Sequence, residues 1–176
     1  MKKFELTAEC VTNIFGKKLF RIKALVAFGD VKEGELGGFI EKESNLANDG
    51  NAWVSGNAQV CGDAKVYGNA KVYGDAWVYG DAKVCGDAKV CGDAWVCGDL
   101  DYAIVGGFGS EQRTTTFFRQ KDGTVGVRCG CFCGTLEEFR EKVKKTHKNS
   151  KYAQEYLMIA DLMELHFAGG KEDDER

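Results

Sequence analysis

Between Gly50 and Gly98, apolar and polar positions alternate with a period of six. Glycine falls at 50, 56, 62, 68, 74, 80, 86, 92 and 98, with alanine two places after each of the first eight and valine two places after that. The phrase reads Gly-[Asn/Asp]-Ala-x-Val-[Tyr/Cys/Ser]. Alanine and valine two apart lie on one face of an extended segment. Gly-Asp or Gly-Asn supplies a corner that β-branched residues resist. Three strand-and-corner units close a triangular coil of eighteen residues with alanine and valine inside. Glycine at every sixth position, costing about 1 kcal/mol each in a helix, excludes an α-helix.

The flanks follow other periods. Lys18 to Leu25 is rich in strand formers, with a turn predicted at Asn13 to Lys17. Gly34-Glu35-Leu36-Gly37-Gly38-Phe39-Ile40 leads into the coils. Ile40, Ser44 and Leu46 fit an imperfect first coil, and a two-residue slip then joins the strict frame at Ala52. An uncovered coil exposes its core and unpaired strand edges, so residues 1–39 are expected to form an N-terminal β cap. Leu100 and Tyr102 are expected in the next inward slots, which extends the coils over residues 40–102. Gly106 to Ser110 breaks the frame. A hairpin is predicted from Arg113 to Cys129, turning at Lys121-Asp122-Gly123. Thr135 and Glu138 have capping-box spacing before a helix, and a second helix runs from about Lys151 to Phe167. Residues 103–168 thus read as an α+β module of ββαα order, and 169–176 as a disordered acidic tail.

The aliphatic-then-small pattern four residues apart (Val54 with Ala58, Val60 with Ala64) resembles the left-handed parallel β-helix of hexapeptide-repeat proteins. The resemblance implies a mainly β protein of about three left-handed coils. It also implies a homotrimer. Folded onto three faces, the repeat sends Trp53, Lys71 and Lys89 outward on one, Lys65 and Lys83 on another, and Gln59, Trp77 and Trp95 on the third. Only the last is uncharged. Trp77, Tyr79, Trp95 and Cys97 form an aromatic patch of the kind that marks an interface. Its expected cover is a second subunit or the C-terminal segment of the chain itself.

Charge changes the picture by exclusion. The net charge is −3, and no segment has the one-sided basic excess of a nucleic-acid binder. No apolar run approaches a membrane span, and the start lacks a signal-peptide core, so a cytoplasmic protein with reduced cysteines is expected.

Candidate chemistry is sparse. Hexapeptide-repeat proteins include acyltransferases that use a histidine near a subunit boundary. Here His147 and His166 both fall in the C-terminal module, which makes an acyltransferase the lesser reading. Cys129, Cys131 and Cys133 would share one strand face, yet the C-x₂-C pairing of zinc sites is missing, and no metal or cofactor is expected. Asp63, Asp81 and Asp99 stack at one corner, where solvent and lysines suffice without an ion. The lysines 142, 144, 145, 148 and 151 read as a solvated face. The one anion-binding pattern joins the glycine loop Gly106, Gly107, Phe108 and Ser110 to Arg113, Thr115, Arg119 and Arg128. Backbone N–H groups, hydroxyls and arginine forks suit a phosphate or nucleotide-like anion.

Flanks and repeat wording also resemble small proteins encoded by bacteriophages and prophages. The expected function is therefore a non-enzymatic, oligomeric binding or scaffold protein. A concrete version is a phage counter-defence protein in the host bacterial cytoplasm, holding a host protein or sequestering a nucleotide immune signal. A structural assembly protein is the remaining alternative.

Overall fold

The computed structural model describes residues 2–168 and divides into two compact units, Met1–Asp99 and Leu100–Arg176. The acidic tail lies outside the described residues.

In the first unit the repeat builds a three-sided β-solenoid of eight two-residue strands: β4 (Trp53–Val54), β5 (Gln59–Val60), β6 (Lys65–Val66), β7 (Lys71–Val72), β8 (Trp77–Val78), β9 (Lys83–Val84), β10 (Lys89–Val90) and β11 (Trp95–Val96). Strands three apart in sequence pair in parallel and in strict register, so Gln59, Trp77 and Trp95 align on one side and Trp53, Lys71 and Lys89 on another. Lys65 and Lys83 align on the third. Every repeat alanine and valine from Ala52 to Val96 is fully buried. Glycine is required at the corners for two reasons at once. Gly74 has φ +76°, and a Cβ there would lie 2.9 Å from the backbone nitrogen of Gly92 one coil on.

The amino-terminal strands β1 (Phe4–Thr12), β2 (Lys18–Ala24) and β3 (Leu36–Ile40) extend one solenoid face sideways. β1, β2 and β3 are antiparallel, and β3 then runs parallel to β5, giving the sheet order β1-β2-β3-β5-β8-β11. Phe39 and Ile40 stand over Gln59 and Val60, and Leu46 bridges to Val66. The imperfect first coil expected at Ile40 and Leu46 is therefore present.

The first coil must satisfy carbonyls for which no earlier coil supplies N–H donors. Within the repeat, each corner and strand N–H donates to the next coil, as from Asp63 to Gly80, Lys65 to Ala82 and Tyr67 to Val84. At the open end, side chains replace these donors. The buried Asn45 carboxamide donates to the carbonyls of Gly62 at 3.1 Å and Ala64 at 2.8 Å. Lys3, only 3% exposed, donates from Nζ to Ala52 at 2.9 Å and more weakly to Gly50 at 3.5 Å. These two side chains complete the closure begun by the backbone N–H groups of Phe39, Glu41 and Ala47, which donate to the carbonyls of Ala58, Val60 and Val66.

The coils stop sooner than the repeat text suggests. Leu100 is exposed, not inward, and Tyr102 opens an antiparallel strand of the second unit. Alanine and valine slots with no free space do not admit leucine and tyrosine. Asp99 instead accepts the N–H of Lys83 at 2.8 Å, closing part of the last coil.

The second unit is a four-stranded antiparallel meander, β12 (Tyr102–Val105), β13 (Thr115–Arg119), β14 (Val125–Cys129) and β15 (Phe132–Thr135), followed by α1 (Leu136–His147) and α2 (Lys151–Ala168). The expected hairpin is β13–β14, and two outer strands are added to it. Both are only four residues long, β12 ending before Gly106-Gly107 and β15 containing Gly134. The helices pack on one sheet face through Phe117, Val127, Leu136, Phe139, Val143, Tyr156, Ala160, Met163 and Phe167. α1 starts with the anticipated capping box: the Glu138 N–H donates to Thr135 Oγ1 at 3.3 Å, and the Thr135 N–H donates to Glu138 at 2.8 Å.

Candidate functional site

Two places stand out, one in each unit. In the second, a cleft of about 300 Å³ opens where the β14–β15 turn meets α1 and α2. α1 supplies Phe139, Lys142, Val143, Thr146 and His147, one helical stripe whose last turn becomes polar. α2 supplies Tyr156, the sheet end Cys129, Cys131 and Phe132, and the preceding loop Ser110, Glu111 and Arg113.

Packing fixes this wall. The Tyr156 ring meets Phe139 edge-on at 5.7 Å and lies 5.6 Å from the His147 ring. Gly109 presses flat on the same tyrosine, where a Cβ would lie 2.0 Å from ring carbon. Burial and the neighbouring Cys129 raise the Tyr156 hydroxyl above its ordinary range, so it remains a neutral phenol able to donate. Thr115 is buried beneath the cleft and donates to Cys129 Sγ at 3.2 Å. Arg113 shares a 3.3 Å contact with Glu111, and Lys142 has no ion pair among the described residues. Gly130 leaves room for Arg113, because a Cβ there would sit 2.5 Å from its guanidinium.

The structure divides the residues that the sequence grouped as an anion site. Ser110 and Arg113 reach the cleft, and Thr115 lies under it. Gly106 and Gly107 are exposed, as is Phe108. The N–H of Gly109, at the end of the expected cradle, donates to the Glu155 carboxylate at 2.9 Å, so the loop already holds an anion of its own chain. Arg119 is engaged elsewhere, with Asp101 at 3.0 Å and the Phe167 carbonyl at 3.1 Å. Arg128 pairs across to Thr116 and Cys133, on the sheet face opposite Thr115 and Cys129. Lys142, Thr146, His147 and Tyr156 were not recognised. For the three on α1 the signal was the stripe 139, 142, 143, 146 and 147, in which helical spacing continues after the side chains turn polar.

The cysteine cluster also separates. Gly130 and Cys131 form a two-residue hairpin turn, so Cys129 faces the helices with Phe132 while Cys133 pairs with Arg128 on the reverse face. The three do not share one face as an unbroken strand would require. Among the described residues no group of histidine, cysteine and carboxylate side chains has a metal-holding arrangement. At the solenoid corners, Asp63 is held by Lys42 at 3.0 Å and Asp99 turns to the Lys83 N–H. Asparagine ladders run beside them, Asn51 donating to Asn69 and Asn69 to Asp87, each at 3.1 Å.

The second place is the aromatic face. Trp77 and Trp95 stack at 5.6 Å with planes 21° apart, and Tyr79 meets Trp95 edge-on at 6.1 Å. The β1–β2 turn is the segment that covers part of it. Asn13 closes that turn by accepting from the N–H groups of Phe15 and Lys17, and donates to Cys61 Sγ at 3.6 Å. Phe15 is thereby set 5.9 Å from Trp77 and 5.2 Å from Tyr79. The sequence anticipated another subunit or the C-terminal segment here, and a five-residue turn gave no sign of reaching two coils along.

Comparison with known proteins is consistent with the solenoid alone. A family model described as YdcK beta solenoid repeat matches residues 64–80, which span β6 to β8. No curated protein matches the chain. The chain therefore carries a β-solenoid repeat, a scaffold-like fold compatible with a non-catalytic protein. No helix among the described residues is long and apolar enough to cross a membrane.

Proposed function

We propose that this is a non-catalytic binding protein, with the solenoid as a rigid support and the cleft of the second unit as the ligand site. The observation that carries this reading is the convergence of Arg113 and Lys142 on a cleft walled by Phe132, Tyr156 and His147. Two cations flanking aromatic walls suit a ligand that combines an anionic group with a flat ring. A neutral tyrosine and the hydroxyls of Ser110 and Thr146 add hydrogen-bonding capacity. The volume lies at the lower end of small-molecule pockets, sufficient for a nucleotide-sized fragment.

The setting that fits is phage counter-defence, with sequestration of a nucleotide-like immune signal in a bacterial host. Titration calorimetry of the full chain against cyclic dinucleotides, cyclic trinucleotides and NAD-derived signals tests the reading. Saturable heat with one of them, lost in Arg113→Ala, is the expected result. Absence of heat with all of them overturns the nucleotide assignment and leaves a host protein as the partner to seek.

A further inference from the structure

The cleft of the second unit has a neighbour. A hollow of about 310 Å³ lies beside it, lined by Phe132, Glu138, Glu141, Lys142 and Lys145. Phe132 and Lys142 line both hollows. On α1, residues 138, 141, 142 and 145 form one helical row and 139, 142, 143, 146 and 147 the next, so Lys142 stands on their border. Phe132 opens the edge strand β15, and the Phe139 ring 5.7 Å away sets its position. The two hollows thus form a saddle with an aromatic ring and an ammonium group at its crest. Together they fall well inside the range of small-molecule sites, whose lower limit is all that either reaches alone.

The second hollow differs from the first in carrying carboxylates, and the two are not equivalent. Glu138 already accepts the Thr135 N–H at 2.8 Å. Glu141 has no ion pair among the described residues, although Lys145 follows it by one helical turn. An ionised carboxylate only accepts, and its two oxygens suit two N–H donors side by side. Guanine presents that pair, its N1–H beside its exocyclic amine. Adenine sets one amine beside a ring-nitrogen acceptor, which a carboxylate repels.

We infer that the two hollows together take a dinucleotide carrying guanine, with the phosphate bridge over Lys142, one base against Tyr156 and a guanine facing Glu141. This rests on the assignment of the first cleft to a nucleotide-like anion and adds the ligand's second half. Lys145 supplies a cation for a further phosphate.

Titration calorimetry of the full chain with GMP, cyclic di-GMP and cyclic di-AMP is the test. Cyclic di-GMP is expected to bind at least ten times more tightly than either of the others. Glu141→Gln should weaken cyclic di-GMP about tenfold, leave cyclic di-AMP unweakened and keep the wild-type thermal melt. GMP bound as tightly as cyclic di-GMP would confine the ligand to one hollow, overturning the inference while leaving the first cleft a nucleotide site. Equal affinity for the two cyclic dinucleotides, or no effect of Glu141→Gln, overturns the guanine assignment. No heat from any of the three overturns the inference as well, and cyclic trinucleotides and NAD-derived signals then decide the first cleft separately.

Discussion

Lys3 donates its Nζ to the carbonyl of Ala52 at 2.9 Å, from a position that is almost entirely buried. In each later coil a backbone N–H fills that role. The Phe28 ring 4.7 Å away, itself edge-on to Trp53 at 5.4 Å, screens the amine from water. Burial lowers the Lys3 pKa to about 8, against an attraction from Asp49 that works to raise it.

That shift carries a pH dependence of definite sign. Between pH 8 and 10.5 the unfolded chain binds the Lys3 proton more fully than the folded one, so stability from this group rises with pH through that window. Below pH 8 the full cost of the buried charge is present. Chemical denaturation of wild type and Lys3→Met at both ends of the window checks it, because thiols and tyrosines common to both proteins cancel. Parallel profiles would show that Lys3 is not the group responsible.

Asn45→Leu removes both donors to Gly62 and Ala64 and the acceptor for the Lys42 N–H. Dry carbonyls at the solenoid end should cost about 2 to 4 kcal/mol. Urea unfolding measures it. A loss under about 1 kcal/mol would mean that water reaches these carbonyls.

Two glycines separate conformation from crowding. Gly123→Ala retains φ +85° with open space around the new methyl, and should cost about 1 to 2 kcal/mol. Gly74→Ala adds a contact with the next coil to a similar backbone requirement and should cost more, about 3 kcal/mol or above. Their ranking in thermal unfolding is the readout.

Phe15→Ala uncovers Trp77 and Tyr79 while leaving the Asn13 turn intact. A red shift of tryptophan emission is expected, with a loss of about 1 kcal/mol. Unchanged emission would place Phe15 away from the stack in solution.

In the cleft, Lys142→Ala should weaken binding of a nucleotide-like anion about tenfold, whereas Arg128→Ala should leave it unaltered. Lys142 lines the cleft, while Arg128 belongs to the reverse face of the sheet. Equal effects of the two in calorimetry would move the site.

The solenoid was legible because its instruction is local and repeated. Glycine at a positive-φ corner, alanine and valine in a core without free space, and a six-residue step leave one way to stack, and the face assignments of Trp77 and Trp95 follow from it. The capping box of Thr135 and Glu138 was legible for the same reason. What only the tertiary structure decided were relations between distant segments. A carboxamide at 45 and an amine at 3 replace absent backbone donors, and a turn at 13–17 lies on coils more than sixty residues later. Arg113 and Arg119 sit six residues apart in sequence and were grouped as one site. Three-dimensional packing assigns the first to a cleft and the second to Asp101 and the end of α2. Periodicity fixes which face a side chain takes; which of its possible partners reaches that face depends on how the chain closes in space.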